Sequence, residues 1–156
     1  MGRVTTTVGL ALATGLGVGY VPFAPGTFGS AVGLLLWIAL PTAPMVQAAV
    51  IAAVFAVGVW SAGVTERHYR STDPGVVVID EVLGMLITLA IQPVGWAGAA
   101  LAFLLFRAFD VLKPYPANRV ERMHGGFGIM ADDGVAGLYA NIVLRLALLW
   151  APAGLL

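Results

Sequence analysis

Nearly all the charge of this chain is confined to two windows, residues 66–81 and 107–133; outside them only Arg3 and Arg145 are charged. Around the windows run apolar stretches at residues 4–20, 28–40, 45–65, 82–91, 96–106 and 135–150. A water-soluble domain is not built this way. Hydrophobic residues are 60% of the 156 and charged residues 10%, against about a quarter charged in soluble domains. Too little polar surface is left to face water, whereas lipid covers apolar side chains without cost. In hydrocarbon every backbone polar group must be satisfied within the protein, which makes the apolar runs helices. The expectation is an all-α fold, a multihelical integral membrane bundle, with residues 1–156 as one domain by length.

A spanning helix needs about 20 apolar residues, and only 45–65 supplies them alone. The other helices must extend into flanking segments or penetrate partway. Residues 82–106 read either as a helical hairpin or as one proline-kinked span, because a helix buried all round shows no polar stripe to decide by. Pro41-Thr42-Ala43-Pro44 and Gln92-Pro93-Val94-Gly95 are short uncharged turns of the sort that link antiparallel helices. If both return the chain to the side it left, the polar segments 20–27, 66–81 and 107–133 share one face. Arg67, Arg70, Arg107, Lys113, Arg119 and Arg122 lie there, so the positive-inside rule makes that face cytoplasmic. Trp96 and Trp150, near segment ends, read as interfacial anchors. Arg3 ahead of an apolar run ending Ala11-Leu12-Ala13 loosely fits a secretory signal, but the run continues to Tyr20 without a break and is expected to stay in the mature protein.

Several chemistries drop out early. Eight acidic residues balance eight basic ones, so no basic excess attracts nucleic acid. The chain has no cysteine, which removes disulfides, thiolate metal sites and a cysteine nucleophile. His68 and His124 lack metal-ligand spacing and read as loop histidines, His124 beside a glycine turn being able to move a proton. Arg145, four residues after Asn141, reads first as a helix-to-helix polar contact.

Four groups of residues can carry chemistry. Pro25-Gly26-Thr27-Phe28-Gly29-Ser30 precedes an apolar helix, with Thr27 or Ser30 as its N-cap; the same exposed N–H groups can hold a phosphate. Asp73-Pro74-Gly75 reads as a turn, with Asp73 structural. Asp80-Glu81 then opens an apolar segment, where two acids suit a helix N-terminus. With valine and isoleucine before them, at least one should be shielded and need a cation. Arg107, Asp110 and Lys113 recur every three residues and so share one helix face. A surface ion-pair ladder is the plain reading, but at a membrane helix end a phosphate uses the two cations well. Finally, Gly125-Gly126-Phe127-Gly128 reads as a glycine-rich turn that leads to Asp132-Asp133 at the start of the last helix. Two acid pairs on one face, with Asp110, supply enough hard oxygen ligands for magnesium.

The ordered set Pro-Gly-Thr-x-Gly-Ser, Val-Ile-Asp-Glu, Phe-Arg-x-Phe-Asp-x-x-Lys-Pro-x-Pro and Gly-Ile-Met-x-Asp-Asp-x-x-Ala-Gly-x-Tyr resembles the phosphatidylglycerophosphatase A family, from about residue 20 to 141. The resemblance implies a magnesium-dependent lipid phosphatase that converts phosphatidylglycerophosphate to phosphatidylglycerol at the bacterial inner membrane. The family's motifs fall on Thr27, Gly29 and Ser30, on Asp80, Glu81 and Gly84, on Arg107, Asp110 and Lys113, and on Asp132, Asp133 and Gly137. Within that set Asp80, Glu81, Asp132 and Asp133 are expected to hold Mg2+, and Arg107 and Lys113 to bind phosphate with the amides near Thr27 and Ser30. Asp80, Asp110 and Asp133 are the expected catalytic acids, Asp110 orienting Lys113, ligating metal, activating water or attacking phosphorus. The main rival is a small transporter or ion-pathway subunit whose acids serve as ion sites. Cytidine-diphosphate-dependent phosphatidyltransferases are disfavoured because Leu138 stands where their arginine would follow Asp133-Gly134. Histidine-based lipid phosphatases need another spacing after Lys113, and the Asp-x-Asp of haloacid dehalogenase phosphatases is absent.

Overall fold

Each apolar run folds as helix, as internal satisfaction of the backbone demands. The computed structural model describes residues 2–120, 123 and 125–150, and in them α1 (Arg3–Ala13), α2 (Pro25–Ala39), α3 (Pro44–Tyr69), α4 (Ile79–Thr88), α5 (Trp96–Leu112), α6 (Ala117–Val120) and α7 (Gly126–Trp150) follow a helical order with no strand. A single 3₁₀ turn, Val18–Tyr20, lies between α1 and α2. Arg122 and His124, both singled out in the sequence, lie outside the described residues. Among the described residues two helices are long and apolar enough to cross a membrane, α3 with 26 residues and α7 with 25. The expected span at 45–65 is the core of the first.

Residues 82–106 form a hairpin, not one kinked span. Arg107, near the end of α5, comes back to within 3.7 Å of Glu81 at the start of α4. In the other direction Gly29 and Gly33 of α2 press on Val78 and Met85 in the same order, so α2 runs parallel to α4. Gly84 and Thr88 of α4 meet Gly137 and Asn141 of α7, again in parallel. Helices α2, α4 and α7 therefore run away from the charged end, and α5 runs towards it. Trp37 and Trp96, beside the uncharged turns, and Trp150, the last residue of α7, all fall at the far end.

The centre of the bundle is α4. Its Ile79, Asp80, Val82, Leu83, Gly84, Met85, Leu86 and Thr88 are all buried, as expected of a helix apolar on every side. Glycines let α7 approach closely enough to do this: a Cβ on Gly137 would lie 2.4 Å from the carbonyl oxygen of Gly84. At the end of α4, where carbonyls lose their helical partners, Asn141 Nδ2 donates to the carbonyls of Ile87, Thr88 and Ala90 at 3.0, 2.9 and 3.2 Å. Arg145 Nε donates to Asn141 Oδ1 at 2.8 Å and Nη2 to Ala90 O at 3.3 Å. The polar contact expected of Arg145 is thus a cap on a neighbouring helix.

Two expected boundaries are corrected. Helix α2 starts at Pro25, after Ala24 with φ 47°, so neither Thr27 nor Ser30 is its N-cap. Proline suits the first helical position because its φ is already helical and its missing N–H has no partner to lose there. Helix α7 starts at Gly126, so of the glycines that read as a turn Gly126 and Gly128 are helical, while Gly125 stays outside with φ 87°. The reason is packing: a Cβ on Gly126 would lie 1.9 Å from Val59 O of α3, and glycine is what permits that crossing. Asp132 and Asp133 consequently sit about two turns inside α7 rather than at its start.

Candidate active site

All three charged or polar segments, with α7, contribute to one cavity of about 270 Å³. Ala24, Pro25 and Gly26 come from the start of α2, and Asp73, Gly75 and Val77 from the loop after α3. Asp80 and Glu81 open α4, Arg107, Asp110 and Lys113 end α5, and Asp132 and Asp133 come from α7. The hairpin of α4 and α5 makes this possible, because it returns the chain to the level from which α4 began.

Three carboxylates form its acidic side. Oxygens of Asp80, Glu81 and Asp133 lie within 4.8 Å of one another. Asp80 is 8% exposed and Asp133 3%. Glu81 Oε2 and Asp133 Oδ2 are buried without a hydrogen-bond partner. Burial, and then the charges of Glu81 and Asp133, push the carboxyl of Asp80 well above the usual carboxylate range. Helix α4, ten residues long, falls short of the roughly 20 residues that a spanning helix needs, and its acids are left packed against one another. A divalent cation answers this arrangement, since it supplies the missing partner for the orphaned oxygens and reverses the repulsion. The donor set is all hard oxygen and fits magnesium in kind.

Asp132, expected with these three, is turned elsewhere. Its Oδ2 accepts from Lys113 Nζ at 2.7 Å and its Oδ1 from the Asp133 N–H at 2.9 Å. Consecutive helical residues point about 100° apart, which is why neighbours in α7 serve different partners. Asp110 Oδ2 lies 2.6 Å from Arg107 Nη1, so the group it orients is Arg107. Arg107 in turn lies between Asp110 and Glu81 and joins the acidic side to the cationic one.

The start of α2 reaches the site through its backbone. A Cβ on Gly26 would run into Glu81 Oε1 and come close to Arg107 Nη1, so any larger residue there would push these two site side chains aside. Thr27 and Ser30 do not line the cavity. The Thr27 N–H donates to Ala24 O at 2.9 Å, and the buried Ser30 hydroxyl donates to Gly26 O at 2.9 Å. Ser30 thus braces the turn that carries Gly26.

One wall residue escaped the sequence reading. Asp73 lines the cavity from a backbone with φ 47°, its side chain exposed. Ala24 and Lys113, which line the cavity too, also have positive φ, at 47° and 42°. Non-glycine residues held there cost about 1–3 kcal/mol each and cluster at functional sites. The aspartate-proline-glycine signature of a turn hid Asp73; its spacing from Asp80 gave no helical or strand register to flag it.

The chain matches the family described as phosphatidylglycerophosphatase A over residues 11–148. It is similar to phosphatidylglycerophosphatase A of Haemophilus influenzae, 39% identical over 89% of this chain and 88% of that protein. It is similar to phosphatidylglycerophosphatase A of Escherichia coli, 37% identical over 93% of this chain and 86% of that one. A Bacteroides thetaiotaomicron protein with the name "Putative phosphatidylinositol-3-phosphatase" is 38% identical over 87% of this chain and 91% of its own length. No solved structure matches.

Proposed function

The chain belongs to the phosphatidylglycerophosphatase A family and is a phosphatase; from that premise we propose that it removes the terminal phosphate of phosphatidylglycerophosphate in a magnesium-dependent reaction, at the cytoplasmic face of a bacterial inner membrane that it crosses more than once. The observation that carries the reading is one cavity that holds three clustered carboxylates, two with orphaned oxygens, together with Arg107 and Lys113. Membership of a phosphatase family does not favour the rival reading as a transporter or ion-pathway subunit.

Asp80, Glu81 and Asp133 would hold the ion, with Asp132 fixing Lys113 beside it. Bound there, magnesium supplies positive charge against the phosphoryl oxygens. The chain's own cations do the rest of the binding: Arg107 presents a planar fork that matches two phosphate oxygens, and Lys113 adds a point charge. Asp110 holds the guanidinium in place at 2.6 Å. As the wall carboxylate outside both the clustered trio and the Lys113 pair, it also takes a proton from the attacking water as the bond from phosphorus to the glycerol oxygen breaks. The displaced alkoxide takes up a proton, leaving phosphatidylglycerol and inorganic phosphate.

Detergent-purified protein given phosphatidylglycerophosphate is expected to release phosphate with magnesium and to stop when a chelator is added. Unchanged lipid in the presence of magnesium overturns the substrate; release that persists in chelator overturns the metal. Phosphatidylinositol 3-phosphate serves as the comparison lipid, and a preference for it would reassign the head group.

A further inference from the structure

Lys113 follows α5 in a left-handed backbone conformation, φ 42°, which a residue with a Cβ adopts rarely and which persists only where its surroundings over-determine it. Its Nζ is held by Asp132 of α7 at 2.7 Å. The main chain around it is held from the same helix by Tyr139. The Tyr139 hydroxyl donates to the carbonyl of Tyr115, two residues after Lys113, at 2.8 Å. The Tyr139 ring packs on Phe109, four residues before Lys113, with 5.8 Å between ring centroids. Between these two contacts the Lys113 N–H donates to Phe109 O at 2.8 Å, and the ring of Pro114 locks the next φ.

Asp132 and Tyr139 are seven residues apart in α7, which is about two turns and brings both to one face. One face of one helix thus holds the ammonium of Lys113 at its tip and the main chain on either side of it. Tyr139 is not among the residues that line the cavity, so its part in the reaction runs through what it holds. We propose that Tyr139 is a positioning residue: by fixing the main chain before and after Lys113 it places that cation for the phosphate. This rests on the phosphatase reading given above, in which Lys113 binds phosphate, and it extends the machinery to a residue outside the cavity.

Tyr139→Phe keeps the ring against Phe109 and removes only the hydroxyl, so the variant should fold. Turnover of phosphatidylglycerophosphate in mixed micelles with magnesium is measured for wild type, Tyr139→Phe, Lys113→Met and the double variant. Loosening a group that binds substrate and transition state alike raises KM and leaves kcat within about twofold. In Tyr139→Phe, KM is expected to rise about three- to tenfold, the scale of one lost hydrogen bond. Without Lys113 there is no ammonium left to place, so the same change in the Lys113→Met background should alter kcat/KM by less than about twofold. An unchanged KM in Tyr139→Phe overturns the proposal, and so does a fall in kcat at constant KM. An equal loss of kcat/KM with and without Lys113 also overturns it, because the tyrosine would then brace α5 against α7 without regard to the cation. If Lys113→Met is too slow to measure, the split between KM and kcat in the single variant decides. Wild-type protein inert on phosphatidylglycerophosphate would instead overturn the underlying substrate reading, and that is seen before any variant is made.

Discussion

Single residues decide whether the cavity works, and the strongest case is the buried acids. Asp80→Asn and Asp133→Asn each keep size and packing but remove a charge the cation needs, so each should lower turnover by about a thousandfold or more, on the scale of losing one transition-state contact. The protein should still fold, since replacing a repelled carboxylate by an amide relieves strain in the cluster; near-normal rates in both variants would return these acids to a structural role. Asp80, Glu81, Arg107, Asp110, Lys113, Asp132 and Asp133 were legible in the sequence as charges with no business in an apolar chain, and all seven line the cavity. Which acid serves which partner was not legible, because that depends on helix phase: Asp132 turns to Lys113 and its neighbour to the trio. Nor was the use of Gly26 in place of Thr27 and Ser30, since contact through backbone leaves no side-chain signature.

At the level of the helix, α4 depends on α7 for the partners of its last carbonyls. Asn141→Leu should leave the carbonyls of Ile87, Thr88 and Ala90 without their side-chain donor and free Arg145 from its orienting oxygen. Interhelical hydrogen bonds in membrane proteins contribute about 0.6–2 kcal/mol. The unfolding midpoint in detergent is then expected to fall by roughly 2–8 °C for a chain of this size, and an unchanged midpoint would show that the contact contributes nothing. That helices would form was readable from composition, because lipid permits little else. Their ends were less so. The glycines at 125–128 carry the pattern of a turn, and only the presence of Val59 of α3 against Gly126 shows that they serve a helix crossing. The choice between hairpin and kinked span at 82–106 was closed to periodicity, because α4 is buried on every face.

For the molecule as a whole, the arrangement gathers the charges of the two windows at one end and puts Trp37, Trp96 and Trp150, with Arg145, at the other. The chain contains no cysteine, so single cysteines report sidedness without background. In intact cells a membrane-impermeant maleimide is expected to label Thr42→Cys, in the uncharged turn after α2, and to spare Ser71→Cys, in the loop that leads to Asp73. Labelling in the reverse pattern would turn the molecule over and place the site outside. Asp132 and Asp133 lie about two turns, roughly 9 Å, inside α7, yet they share a cavity with Asp80 at the start of α4 and Lys113 at the end of α5; α7 therefore begins about two turns before the level of those neighbours, and its first residues make a rim of helix beyond the acids.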